Sequence, residues 1–67
     1  MASTTTIQHI SYDEAAHELH VTFAGGAIYT YYNVPAHVYR SFRTAEAKGQ
    51  YFRQFVADRY DFRRHAA

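Results

Sequence analysis

The sequence predicts an α+β domain in which a small three-stranded antiparallel sheet is followed by two helices packed on one face. Two segments that alternate between apolar and polar residues flank Gly25-Gly26, a pair typical of a tight hairpin turn. Asn33-Val34-Pro35 then has the character of a helix start, and apolar residues recur at helical spacing beyond it. The predicted order is β-β-β-α-α within a single domain at residues 7–64.

Three strands are expected in the N-terminal half. The first runs from Ile7 to about Asp13, and the spacing of Ile7 and Ile10 breaks strict alternation, which indicates a β-bulge. The segment 18–23 alternates cleanly, as a half-buried strand does. The segment 27–32 is the return strand, because it is rich in β-branched and aromatic residues.

The length of the hairpin loop decides which face of the sheet carries which aromatic rings. With a two-residue or four-residue loop, Phe23 opposes Ile28, and Tyr29 and Tyr31 lie on the face away from the core. A three-residue loop reverses the faces and buries both tyrosines. Taking Gly25-Gly26 as the two loop residues predicts exposed tyrosines and a core face made of Leu19, Val21, Phe23, Ile28 and Tyr32.

Two helices are expected in the C-terminal half. Asn33 is predicted to cap the first helix and Gly49 to end it, and the second helix is predicted from about Gln50 to Tyr60. Residues 1–6 and 65–67 are predicted to be flexible tails. The stripe predicted to face the sheet is Val34, Val38, Phe42 and Ala45 in the first helix. In the second helix it is Phe52, Phe55, Val56, Arg59 and Tyr60, with Arg59 near its edge.

Composition narrows the class of protein. The chain has 67 residues and no cysteine, so disulfides are excluded and a reducing cytoplasm is the expected compartment. It has no charged N-terminal segment followed by an apolar run, and no apolar stretch of roughly 20 residues, so neither a signal peptide nor a membrane span is predicted. Seven Tyr and five Phe must supply most of the core volume.

Charge is divided unevenly along the chain. Residues 1–35 carry three carboxylates and no Lys or Arg, whereas residues 36–67 carry all seven basic residues against three carboxylates. Six of those seven are Arg, whose planar fork fits phosphate oxygens. The alternative is local pairing, with Arg59 beside Asp58 and Asp61. The positions predicted to contact nucleic-acid phosphates are Arg40, Arg43, Arg53, Arg63 and Arg64.

Tyr29 and Tyr31 lie two residues apart on one strand, so their rings share a face of the sheet. An exposed pair of this kind can stack unpaired bases, at about 1–3 kcal/mol per base. The alternative is that both rings cover a second small core beneath the C-terminal segment or Phe62. Both interpretations stay open on the sequence.

No catalytic, metal or cofactor site is predicted. His17 and His20 stand three apart at a junction of loop and strand, which is poor geometry for chelation, and no cysteine is available. Ser11 and Ser41 lack the neighbouring base that a nucleophile requires. The other potential metal ligands in the N-terminal half are His9, Asp13 and Glu14. Because neither a metal site nor a nucleophile is predicted, the chain is expected to be a non-enzymatic binding module.

Taken in order, these residues resemble the KTSC domain family, a short domain found alone in bacterial and phage proteins and at the C-terminus of some lysyl-tRNA synthetases. The resemblance lies in an ordered series along most of the chain, because no single motif is specific. The matching positions are Ile7, Ile10, Tyr12, Asp13, Leu19, Val21, Phe23, Gly26, Ile28, Tyr29, Tyr31, Val34, Pro35, Val38, Tyr39, Ala45, Lys48, Gly49, Tyr51, Phe52, Arg59, Tyr60, Arg63 and Arg64.

The resemblance implies RNA as a partner, either single-stranded or transfer RNA. The chain departs from the family pattern at Ala47, Arg53 and Ala57, where Ser, Asn and Arg are usual, so roles of those family residues do not carry over. The leading hypothesis is an RNA-binding module. Its rival is a protein-interaction module or homodimer that buries the sheet edge and the aromatic face against another chain.

Overall fold

The computed structural model describes residues 6–65, and their core is a four-stranded antiparallel sheet with two helices on one face. The predicted tail residues 1–5 and 66–67 lie outside the described residues. Neither helix within 6–65 is long and apolar enough to cross a membrane. The elements are β1 Ile7–Asp13, β2 Glu18–Phe23, β3 Ile28–Tyr31, α1 Ala36–Thr44, α2 Lys48–Phe55 and β4 Phe62–His65, and the sheet order is β1-β2-β3-β4.

The α+β class and the antiparallel sheet are confirmed, but the predicted number of strands is wrong. The chain returns after α2 and adds β4 to the sheet, antiparallel to β3. The second helix ends at Phe55 rather than near Tyr60, and His65, assigned to a tail by the sequence, is the last residue of β4. Because β4 is short and lacks an apolar alternation, its strand conformation depends on pairing with β3 rather than on local preference.

The predicted hairpin register is also wrong, by one residue. Phe23 N–H donates to the Ala27 carbonyl at 2.8 Å, so the loop has three residues, and Val21 pairs with Tyr29. Gly25 and Gly26 both have positive φ angles, 98° and 97°, which either loop length can use. The one-residue shift turns the side chains of β3 over, and Tyr29 therefore faces the helices.

The core fills the space between the helices and the face of the sheet that they cover. Leu19 and Val21 on β2 are completely buried, whereas Ile28 and Tyr32, which the predicted register placed in the core, are only half-buried. The buried apolar residues of this core come from both helices, both central strands and the connecting segments. They are Leu19, Val21, Tyr31, Val34, Val38, Phe42, Phe52 and Val56.

The ends of the helices differ from the prediction, whereas the bulge in β1 is confirmed. Pro35 occupies the N-cap position of α1, and Asn33 instead adopts a left-handed turn conformation with φ of 58°. Gly49 lies inside the first turn of α2, and the helices separate at the extended backbone of Ala45. The pairing of β1 with β2 shifts between Ile7 and His9, as the broken alternation indicated.

Candidate nucleic-acid interface

An open groove of about 460 Å³ lies between the segment after α2 and the β3–β4 half of the sheet. The helices do not fully cover this half, so aromatic rings stay open to solvent there. We call this feature the aromatic groove. It is lined by Phe23, Ala27, Tyr29, Tyr31, Phe52, Ala57, Asp58 and Phe62.

The rings of the aromatic groove pack on one another and differ in exposure. The Tyr29 ring centroid lies 5.3 Å from that of Phe23 and 5.5 Å from that of Phe62. Phe62 is 52% exposed and Tyr29 is half-buried, but Tyr31 is only 3% exposed. Tyr31 therefore belongs to the main core, as the three-residue hairpin loop requires, and not to a second small core. Tyr29 and Phe62 supply the accessible ring surface.

A second hollow, of about 660 Å³, adjoins the aromatic groove at Asp58, which lines both. We call it the basic hollow; it is lined by Arg53, Gln54, Asp58, Arg59 and Tyr60. The Nε of Arg59 donates to the Gln54 carbonyl at 3.4 Å. Within residues 6–65 the one contact at salt-bridge distance joins His20 Nε2 to Glu18 Oε1 at 3.7 Å, an ion pair only when the imidazole is protonated. The predicted pairing of Arg59 with neighbouring acids is therefore wrong.

The structure does not bring all of the predicted phosphate contacts together. Arg64 is paired with Tyr29 across β4 and β3, so it lies on the same face of the sheet as the aromatic groove, and Arg53 lines the basic hollow. Arg63 is paired with Thr30 and lies on the opposite face. Arg40 and Arg43 lie far from β4, in a hollow of about 300 Å³ beside Tyr12 of β1, the other edge strand.

The hollow at β1 has its own aromatic contacts. The rings of Tyr12 and Tyr39 stack with centroids 5.1 Å apart, and the Arg43 guanidinium lies 5.6 Å from the Tyr39 centroid. Glu14 also lines this hollow and brings a carboxylate close to Arg40. Like Asp58 in the basic hollow, this carboxylate disfavours an anion beside the arginines.

The face of the sheet away from the helices carries a polar cluster. The Thr30 hydroxyl lies 2.9 Å from His20 Nδ1 and 2.9 Å from His65 Nε2, so it joins β2, β3 and β4. Thr30 itself is 4% exposed. In the described part of the chain no three His, Asp or Glu side chains converge as metal ligands would. The hydrogen bonds of Thr30 link β4 to β2 and β3.

Burial raises the pKa of Tyr31 to about 12, and the nearby Tyr29 and Asp58 act in the same direction. Burial also raises the pKa of Tyr12, whose hydroxyl donates to the Val34 carbonyl. Both tyrosines are therefore neutral at physiological pH.

These pKa values predict a loss of stability at alkaline pH. The unfolded chain releases the Tyr31 proton near its ordinary pKa of 10.0, whereas the folded chain holds it to about 12. The free energy of unfolding should therefore fall as the pH rises from 10 to 12. Urea denaturation across this range measures the fall, and Tyr31→Phe should reduce it. An equal fall in that variant would contradict the assignment to Tyr31.

The sequence missed part of this site for identifiable reasons. The sequence pattern predicts local pairing of Arg59 with Asp58 and gives Phe62 only the role of a cover for the tyrosines. Asp58 and Phe62 come close to Tyr29 only when β4 pairs with β3. The one signal of this site in the sequence is the presence of aromatic residues in both segments, around Tyr29 and around Phe62.

The fold and its open groove define a small α+β domain with a partly exposed aromatic surface bordered by arginines. Residues 3–60 match the model of the KTSC domain. The chain belongs to the KTSC domain family, which confirms the resemblance seen in the sequence. A KTSC domain protein from Yersinia pestis has a similar crystal structure, with a TM-score of 0.85 and 27% identity over 97% of this chain and 92% of that one.

Similar sequences occur in proteins of very different size. A protein of Tsukamurella paurometabola is 36% identical over 56 residues, which is 84% of each chain. The lysine–tRNA ligase of Nostoc punctiforme is 31% identical over 58 residues, and that of Trichormus variabilis is 30% identical over 56. The chain spans 10% of the length of each ligase, so the similarity concerns one segment of those enzymes.

Proposed function

We propose that the domain binds single-stranded RNA at the aromatic groove and its arginine border. The observation that carries the proposal is a solvent-open set of rings that adjoins a hollow lined by Arg53 and Arg59, which form no salt bridge within residues 6–65. Rings of this kind accept bases of any sequence, and arginines supply the contacts to phosphate. A groove of about 460 Å³ is large enough for a small organic ligand.

Each group has a distinct role in this proposal. Tyr29 and Phe62 stack on a base, since their rings are the accessible ones. Arg53 and Arg59 in the basic hollow, together with Arg64, contact phosphates next to that base. Tyr31 acts from the core as a support for both stacking rings, with its centroid 5.4 Å from that of Phe62.

Two similar proteins support RNA as the ligand class. They are lysine–tRNA ligases, enzymes named for a tRNA, and they share with this chain a segment of KTSC type. A basic aromatic surface would give such an enzyme an additional contact to RNA. The same surface in a short protein would bind RNA without the ligase.

An amide-shift titration of ¹⁵N-labelled protein tests the proposal directly. The ligands are a short oligouridine and bulk tRNA, each at low and at near-physiological salt. Shifts are expected around Tyr29, Phe62 and Arg64, and they should weaken as salt is added, because phosphate contacts release counterions. The absence of shifts with both ligands at low salt would overturn the proposal.

The separation of the arginines gives a matched pair of variants. Arg64→Gln should weaken RNA binding and lower the slope of log K against log salt by about one, because one phosphate contact is lost. Arg40→Gln removes the same charge at the far edge of the sheet and should leave the slope unchanged. Equal losses in both variants would indicate a diffuse charge effect and contradict the assigned site.

A protein-interaction module or homodimer is the second candidate, and β4 favours it. This strand forms an edge of the sheet, and all four of its residues are exposed. Its free backbone groups could pair with a strand of a partner or of a second copy. Salt distinguishes the two candidates, because an apolar interface persists where phosphate contacts weaken.

A further inference from the structure

Among the described residues that line the aromatic groove, Asp58 alone carries a charge. It stands where the groove meets the basic hollow, and it forms no salt bridge within residues 6–65. A carboxylate at this point lowers the affinity for phosphate. In an RNA-binding groove it is better suited to contact a base than the phosphate backbone. It offers two oxygens that only accept hydrogen bonds.

The four RNA bases differ in what they present to a carboxylate. Guanine has two neighbouring donors, N1–H and the 2-amino group, which match two carboxylate oxygens. Adenine and cytosine each place one amino donor beside a ring nitrogen that accepts. Uracil has a single N3–H between two carbonyl oxygens, which repel the carboxylate. Only guanine can therefore form two parallel hydrogen bonds with Asp58 without a repulsive contact.

We propose that Asp58 makes the aromatic groove selective for guanine in single-stranded RNA. The inference rests on the proposed function and adds the identity of the base to it. The base lies on the rings of Tyr29 and Phe62, and its Watson–Crick edge points to Asp58 at the border of the groove. The adjoining phosphate then lies towards Arg53 and Arg59, which share the basic hollow with Asp58.

Fluorescence anisotropy with four hexamers tests this selectivity. One hexamer is oligouridine, and the others replace one central uridine with guanosine, adenosine or inosine. Guanosine should bind about tenfold more tightly than adenosine, the range expected for a bidentate contact. Inosine keeps N1–H but lacks the 2-amino group, so it should lose most of that gain. A purely structural role of Asp58 would not distinguish guanosine from inosine.

Asp58→Asn provides the matching protein variant, because an exposed amide of the same shape leaves the fold intact. It should lose the preference for guanosine while keeping, or slightly improving, the affinity for oligouridine. Asp61→Asn is the control, since it removes an equal charge from an exposed residue that does not line the groove. The control should keep the preference for guanosine.

The outcomes separate this inference from the proposed function. Equal binding of all four hexamers by the natural protein overturns guanine selectivity but leaves RNA binding in place. A preference that survives Asp58→Asn, or that Asp61→Asn abolishes equally, overturns the assignment to Asp58. No binding of any hexamer at low salt overturns both the inference and the proposed function.

Discussion

Tyr31→Ala is expected to unfold most of the protein, although the sequence pattern placed this ring on an exposed face. Tyr31 is 3% exposed, and its ring lies against Phe52 and Phe62 with centroids 5.6 and 5.4 Å away. Truncation of a buried aromatic residue to alanine costs about 3–5 kcal/mol. So small a domain has only a few kcal/mol in reserve. Circular dichroism during urea denaturation measures the loss.

Two neighbouring substitutions make this result specific. Tyr31→Phe keeps the ring in place and should stay folded with little loss, because the Tyr31 hydroxyl makes no hydrogen bond within residues 6–65. Tyr29→Ala removes a half-buried ring and should cost less than Tyr31→Ala. If Tyr31→Ala were as stable as the natural protein, the three-residue hairpin loop and the buried position of the ring would both be wrong.

Phe62→Ala is expected to lower the affinity for single-stranded RNA by about tenfold to a hundredfold. This follows from the 1–3 kcal/mol that a base–aromatic stack contributes. The ring is 52% exposed, so its removal should cost much less stability than Tyr31→Ala does. The variant should therefore bind weakly while folded, which anisotropy and an amide spectrum of the same sample can show.

Phe55→Ala is the matched control for this prediction. Phe55 is 44% exposed on α2, and it packs on Tyr51 rather than lining the aromatic groove. Loss of this ring should leave RNA affinity unchanged. If Phe55→Ala and Phe62→Ala lowered the affinity for RNA equally, RNA would not bind specifically at the aromatic groove. If Phe62→Ala bound RNA as tightly as the natural protein, Phe62 would not stack on a base and the proposed function would lose this contact.

Much of the local structure follows from short-range patterns. The irregular Ile7-to-Ile10 spacing forces a bulge because side chains on a strand alternate between faces. The spacing of Val38 and Phe42 turns one stripe of α1 to the core, and both residues are buried. Val34, in the segment before α1, is buried with them. Gly25-Gly26 marks a hairpin, since glycine adopts positive φ without a steric penalty.

The candidate site depended on two features that local patterns leave open. A two-residue and a three-residue loop both use the glycines at positive φ, yet they place Tyr29 on opposite faces of the sheet. The choice follows from burial of Tyr31 against Phe52, a contact between distant parts of the chain. β4 is a strand because Phe62 and Arg64 pair with β3, and its own four residues show no strand pattern.

Local chemistry therefore determined the class of the domain, the hairpin, both helices and the membership of the KTSC family. These features depend on residue type and on spacings of two to four positions, which a sequence states directly. Tertiary structure alone decided which rings are exposed and which arginines meet them. Pairing of β4 with β3 brings Phe62 and Arg64 to Tyr29, and the turn after α2 brings Asp58 to the same groove. Contacts across more than 25 residues have no local signature, because their free energy comes from burial and pairing that only the folded chain provides.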